Sequence, residues 1–230
     1  IHIVDASGTT DVEGKITEGY DPCNDVKFLE EELNKWFYNI FNKVWKTFAR
    51  KTEMEHLKFS EAVAKQFSGL KVSEEHVKIV LRKFNLPEKP SSWSEAQMMK
   101  FVSELRKLSK PMIIAANKCD HPAASENIKK MESEFPEYLI YPCSADSELA
   151  LREAAKSGLI DYIPGDDSFK IKKELNDTLP PKGGEKCTSK QREALDKIKK
   201  DVLDVYSGTG VQEILNLAVF DFLKYIVIFP

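Results

Sequence analysis

Ten residues, Pro111 to Asp120 (Pro-Met-Ile-Ile-Ala-Ala-Asn-Lys-Cys-Asp), constrain what this chain can fold into more than any other stretch. A mostly apolar run ends in a polar tetrapeptide. That is the pattern of a buried parallel strand delivering a loop to the carboxyl edge of its sheet, the edge where open α/β sheets bind ligands. The tetrapeptide Asn117-Lys118-Cys119-Asp120 carries side chains suited to one purine. A carboxylate at Asp120 can accept from both the ring N–H and the exocyclic amino group of guanine. Adenine offers no such pair, and a carboxylate left desolvated and unpaired costs about 1–3 kcal/mol. Lys118 can lay its methylene stem over the base with its ammonium in solvent, and Asn117 can tie neighbouring loops together. The plainer reading is a strand followed by a polar, helix-capping turn.

A second stretch weighs against that plainer reading. Tyr138 to Cys143 is another short apolar run, and it ends in Ser144-Ala145. Guanine-binding folds place a Ser-Ala loop at this distance, where a backbone N–H meets the guanine carbonyl. A third strand is expected at Ile1–Val4, buried, and turning at Asp5-Ala6-Ser7-Gly8. Asp5 then reads as an acceptor that fixes its loop, and residues 1–5, 111–117 and 138–143 as the strands.

Between the first two strands lies a helical block, 25–109, too long for an ordinary crossover and read as an inserted domain. A helix over 25–50 is expected to bury Phe28, Leu29, Leu33, Trp36, Phe37, Ile40, Phe41, Val44, Trp45 and Phe48. A second should cover 54–67 and stop near Gly69. Ser73 caps a third, with Val77, Val80, Leu81 and Phe84 inward, and Ser94 with Gln97 forms a capping box for a fourth facing in through Met98, Phe101, Val102 and Leu105. The block's lysines alternate with acids, which suits a solvated face, or else a face for RNA or a protein partner.

Residues 1–24 and 110–230 make the remaining α/β part. Ser125 and Ser147 are expected N-caps there, and Thr188 with Gln191 another capping box. Residues 162–188 read as loop. Ser207-Gly208-Thr209-Gly210 is a turn, followed by a helix over 211–225.

The 230 residues can bury a sizeable core, and the net charge of −3 provides no large basic field. Cys23, Cys119, Cys143 and Cys187 form no CxxC pair, so neither a metal site nor a disulfide framework is expected, and a reduced cytoplasmic setting is. No apolar run is long enough to cross a bilayer, and there is no signal peptide. Both ends read as cut, so a longer protein is expected.

On these stretches, together with Leu151–Lys156, Gly165, Phe169 and Gly210-Val211-Gln212-Glu213, the chain resembles the Obg-like GTPases of the YchF group, archaeal branch. The resemblance implies an α/β fold: a partial P-loop NTPase G domain of three consecutive parallel strands, with an inserted all-helical domain. It implies GTP and GDP as ligands, magnesium in the full-length protein, hydrolysis of GTP to GDP, and association with ribosomes or RNA through the helical insertion. It assigns the guanine base to Asn117, Lys118, Asp120, Ser144 and Ala145. A family branch that prefers ATP carries an apolar residue and Glu where this chain has Lys118 and Asp120. No Gly-x-x-x-x-Gly-Lys-Ser/Thr is identified here, nor a magnesium-holding Asp-x-x-Gly, and the C-terminal TGS domain would follow Pro230. No catalytic residue is therefore expected in the segment, and alone it should bind GTP feebly and hydrolyse nothing. The rival readings are a non-enzymatic interaction module with vestigial loops, or an unrelated α/β enzyme.

Overall fold

The computed structural model describes residues 1–172 and 189–226. They divide into two compact units, Ile1–Asp25 with Ile113–Pro230, and Val26–Met112. The expected Thr188 capping box lies outside the described residues.

The first unit is built on a parallel sheet in the order β1 (His2–Asp5), β2 (Ile113–Asn117), β3 (Leu139–Pro142). In register, Asp5 stands opposite Asn117, and Ala116 opposite Pro142. All three strands thus end on one rim. β2 is buried from Ile113 to Ala116, as a central parallel strand must be. β1 lies at the edge of the sheet and is less buried than expected, with Val4 buried but Ile1 and Ile3 exposed. Ile113 and Ala115 face Ile214 of α9 (Val211–Asn216), and Phe222 beyond that helix adds to the same cluster.

Helix α5 (Ala124–Glu134) links β2 to β3, and α6 (Ala145–Lys156) follows β3. The expected serine caps are corrected. α5 starts after Ala123, with Ser125 inside it, and α6 starts after Ser144, with Ser147 in its first turn. Neither helix has a side-chain cap; Ser144 is engaged elsewhere, as described below. The stretch read as loop contains a strand: Lys170–Ile171 (β5) pairs antiparallel with Ile160–Asp161 (β4). Helix α7 (Ser189–Ile198) continues through a π-helical stretch, Lys199–Leu203, to α8 (Asp204–Tyr206). The last helix is also π-wound over Leu217–Phe222 and stops short of the expected Tyr225.

The second unit holds most of α1 (Cys23–Met54), then α2 (Phe59–Gln66), α3 (Glu74–Lys83) and α4 (Glu95–Ser109). α1 begins earlier than expected because the Asp21 carboxylate accepts the Cys23 N–H. It also runs through Met54, so the second helix starts at Phe59 and not at 54. Both expected caps form, and the one at Ser73 is a capping box that was not foreseen. Ser73 exchanges hydrogen bonds with His76, and Ser94 with Gln97.

The buried seam of α1 is Phe37, Tyr38, Phe41, Trp45 and Ala49. Phe28, Trp36 and Val44 are exposed instead. Trp36 and Val44 sit one position, about 100°, round the helix from Phe37 and Trp45, outside the seam. Phe41 stacks on Phe67 with centroids 3.6 Å apart, and Trp45 meets Trp93 at 5.3 Å. Arg106, 1% exposed, is held by Glu30 and by Asn34 at 3.1 Å. A buried guanidinium is tolerated only with such partners.

All three tryptophans (36, 45 and 93) lie in this unit, so their fluorescence in denaturant reports on its unfolding. Phe41→Ala should cost about 3–5 kcal/mol there, and Trp36→Phe under about 0.5 kcal/mol. Equal losses from the two would contradict the seam.

Candidate functional site

The rim of the sheet gathers the loops that follow all three strands. The ladder continues just past the strand ends: Ala6 N–H reaches Asn117 O and Cys143 N–H reaches Ala116 O, each at 2.9 Å, and Cys119 N–H reaches Cys143 O at 3.1 Å. Side chains then tie the loops together. Asn117 Oδ1 accepts the Ala145 N–H at 3.0 Å, joining the β2 loop to the β3 loop. Ser144 Oγ donates to Asp120 Oδ1 at 2.9 Å and lies 2.8 Å from Ser147 Oγ. The structure therefore brings Asn117, Asp120, Ser144 and Ala145 to one corner.

Exposure within the corner is uneven. Cys119, Cys143 and Ser144 are buried, whereas Asp120 and Ala145 face solvent. Burial pushes the thiols up, Cys119 to about 12 and Cys143 to about 11. Both are therefore protonated, packed parts of the frame.

Lys118 joins this group differently from the expectation of a solvated ammonium. Its backbone is left-handed, φ 62°, a conformation that costs an L-residue roughly 1–2 kcal/mol. Its Nζ donates to Asp5 Oδ2 at 2.8 Å and lies 3.3 Å from Thr9 Oγ1. The expectation for Asp5 described only its own loop and missed this partner. Asp5 also accepts from the Ser7 N–H at 3.0 Å and from the hydroxyls of Ser7, Thr9 and Thr10. Burial acts to raise the Asp5 carboxyl. The bonds from Lys118, Ser7 and Thr10 outweigh it and hold the pKa at about 2.

Asp5-Ala6-Ser7-Gly8 does carry the Asp-x-x-Gly spelling, which corrects the reading that no such stretch occurs. Its carboxylate is committed to Lys118 and the three hydroxyls. Among the described residues, no group of three or more His, Cys, Asp or Glu is placed to hold a metal ion.

The sequence reading missed a further contributor, the Ser207–Gly210 turn. Thr209 is fully buried, and its carbonyl accepts the Ser144 N–H at 2.9 Å. Gly210 has φ 76°, and a Cβ there would stand 2.1 Å from Pro142 O. Only glycine fits. The two glycines beside Thr209 were the available signal, but sequence does not say which strand end a turn will meet.

Beside Asp120 is a cavity of about 210 Å³, lined by Asp120, Asp146 and Ser147 and, from 194–202, by Ala194, Lys197, Ile198, Asp201 and Val202.

With this geometry in place, comparison with known proteins gives consistent matches. Residues 115–230 match a family model described as an Obg-like GTPase, YGR210-like, G4 motif-containing domain. The whole chain is 44% identical to an uncharacterized GTP-binding protein of Methanocaldococcus jannaschii and 31% identical to one of Schizosaccharomyces pombe. It spans 54% and 55% of their lengths. The crystal structure of a GTP-binding protein from Pyrococcus horikoshii OT3 superposes with a TM-score of 0.73 at 41% identity, over 98% of this chain and 58% of that one.

The Asp5 carboxyl should titrate near 2 by carboxyl-detected NMR, against 3.8 for an ordinary aspartate. Because its folded pKa is depressed, its contribution to stability is complete above pH 4 and disappears as pH falls toward 2, on the order of 1–2 kcal/mol in all. Lys118→Met should raise the midpoint toward 3.8. A midpoint unmoved by that substitution would show that the ion pair does not set it.

Proposed function

The chain belongs to the YGR210-like Obg-like GTPases, and from that premise we propose that its rim corner reads the guanine base of GTP and GDP. Asp120 accepts from the ring N–H and amino group. Ser144 holds that carboxylate in place. Ala145 offers its N–H toward the guanine carbonyl, and Asn117 locks the two loops together. Lys118, anchored to Asp5, lays its stem along the base. The observation that carries this reading is the hydrogen-bonded convergence of Asp120 with Ser144 and of Asn117 with Ala145. The Ala145 N–H, now given to Asn117, would be shared with the base or turned to it on binding.

In the whole protein we propose hydrolysis of GTP to GDP with magnesium. The groups that hold phosphates and metal would come from outside this chain, which spans 54% and 55% of its curated relatives. The described residues supply no cluster for the ion. Val26–Met112 would be an inserted helical domain that meets a ribosome or RNA. Within α1 the expected interleaving of lysines with acids does not hold, since no acid lies between Glu32 and Glu53. Lys35 and Lys51 pair with Glu31, Glu32 and Glu55, but the run with Lys43, Lys46 and Arg50 favours an anionic partner. Kinship with the YchF group and its archaeal branch belongs to the same proposal, as does a cytoplasmic location. Two of the relatives come from archaea, and no helix among the described residues is long and apolar enough to cross a membrane.

In the full-length protein, Asp120→Asn should weaken GTP binding on the order of tenfold to a hundredfold, the scale of an unpaired buried polar group. It should also favour xanthine nucleotides, whose extra carbonyl needs a donor. Unchanged base preference would leave the loops vestigial and point to an interaction module instead.

A further inference from the structure

A buried carboxylate stands next to the corner. Glu148, on the first turns of α6, is 4% exposed. It takes hydrogen bonds from three separate places: Arg152 Nε at 2.5 Å, Tyr162 Oη at 2.7 Å and Thr209 Oγ1 at 2.6 Å. Burial would raise its pKa, but those bonds outweigh it and hold the carboxyl below its ordinary value. A buried charge persists only where donors of this kind compensate it.

The bonds also close a ring around the corner. Glu148 N–H donates to Ser144 O at 3.1 Å, Thr209 Oγ1 donates to the Glu148 carboxylate, and Thr209 O accepts the Ser144 N–H. Thr209 is thus gripped by its hydroxyl and by its carbonyl. The adjoining Gly210 is pressed so closely on Pro142 and Cys143 that a Cβ would not fit, so the turn has little room to slide. Ser144, held through both its N–H and its carbonyl, aims its hydroxyl at Asp120. A base-reading carboxylate needs that support, since a site is only as accurate as the shell behind it.

We propose that Glu148 is a positioning residue for guanine reading, acting through Thr209 and Ser144 on Asp120. The inference rests on the proposed reading of the base by Asp120. Tyr162 is the outer member of the set: its hydroxyl donates to Glu148 and accepts the Gly165 N–H at 3.3 Å. The stretch after α6 and the turn before α9 therefore both bear on the base corner, though neither touches a base.

The test is equilibrium binding of GDP and of IDP, which lacks the 2-amino group, by the full-length protein well below its melting temperature. IDP makes one bond fewer to Asp120, so a misaimed Asp120 should cost GDP more than IDP. Thr209→Val should lower GDP affinity roughly tenfold and IDP affinity less than about threefold, within the range of coupling between neighbouring groups. Thr209→Ser, which keeps the hydroxyl, should restore both. Where Thr209→Val fails to fold, Glu148→Gln and Tyr162→Phe carry the test and should narrow the GDP-to-IDP ratio in the same way. Equal losses for the two nucleotides, or a lower melting temperature with affinities unchanged, would reduce Glu148 to a structural role and overturn the proposal. Asp120→Asn is run alongside as a control. If it fails to shift preference toward xanthine, the base reading itself is at fault; if it shifts while the ratio stays constant, only the positioning role is.

Discussion

The position of β2 between two parallel neighbours decides where every group at the rim can be. Asp5 stands opposite Asn117, and Pro142 opposite Ala116, so the residues that leave the sheet do so side by side. Side chains alternate along a strand, and a register slip of one residue would turn Asn117 to the other face. It would then lose the Ala145 N–H, and the two loops would separate. The slip is opposed because β2 is packed on both faces along Ile113–Ala116, so each side chain would have to fit a site shaped by another. The cross-strand bonds that persist beyond the strand ends, through Ala6, Cys119 and Cys143, carry the same register out into the loops.

Electrostatics then fixes what register leaves free. Lys118 adopts a left-handed backbone, an unfavourable state for a side chain with a Cβ. Its ion pair with Asp5, whose side chain is 12% exposed against 39% for Lys118, acts against that cost. An exposed pair contributes little, but this one is backed by three hydroxyls on the same carboxylate. Strain held in this way is a recurring feature of binding sites, which suits the proposed role of this loop.

What could be read from the sequence follows how local the determining interactions are. The strands around Asn117 and Ser144, the cap at Ser73 and the capping box at Ser94 depend on neighbours a few residues away, and they were legible. The seam of α1 was only partly so. Ten apolar positions over 28–48 suit more than one face, and contacts with Phe67, Trp93 and Phe101, all distant in sequence, decide which is buried. Ser144 and Ser147 mark the limit from the other side. Each can cap a helix, but Ser144 spends its hydroxyl on Asp120, 24 residues away in sequence. The Asp5–Lys118 pair spans 113 residues and the Thr209–Glu148 bond 61. Nothing in local composition announces partners at such separations.

The distribution of burial across the corner favours a reading role over a purely structural one. A capping turn would need only its backbone satisfied, and its polar side chains could then point to water. Here the frame is buried: Cys119, Cys143, Ser144 and Thr209 are all under 5% exposed. The atoms it aims, the Asp120 carboxylate and the Ala145 amide, sit at the surface beside a cavity of about 210 Å³. Burying polar groups to orient an exposed carboxylate gains no stability that an apolar packing could not match. It does gain accuracy, because a carboxylate held by Ser144 loses less freedom when a donor edge arrives.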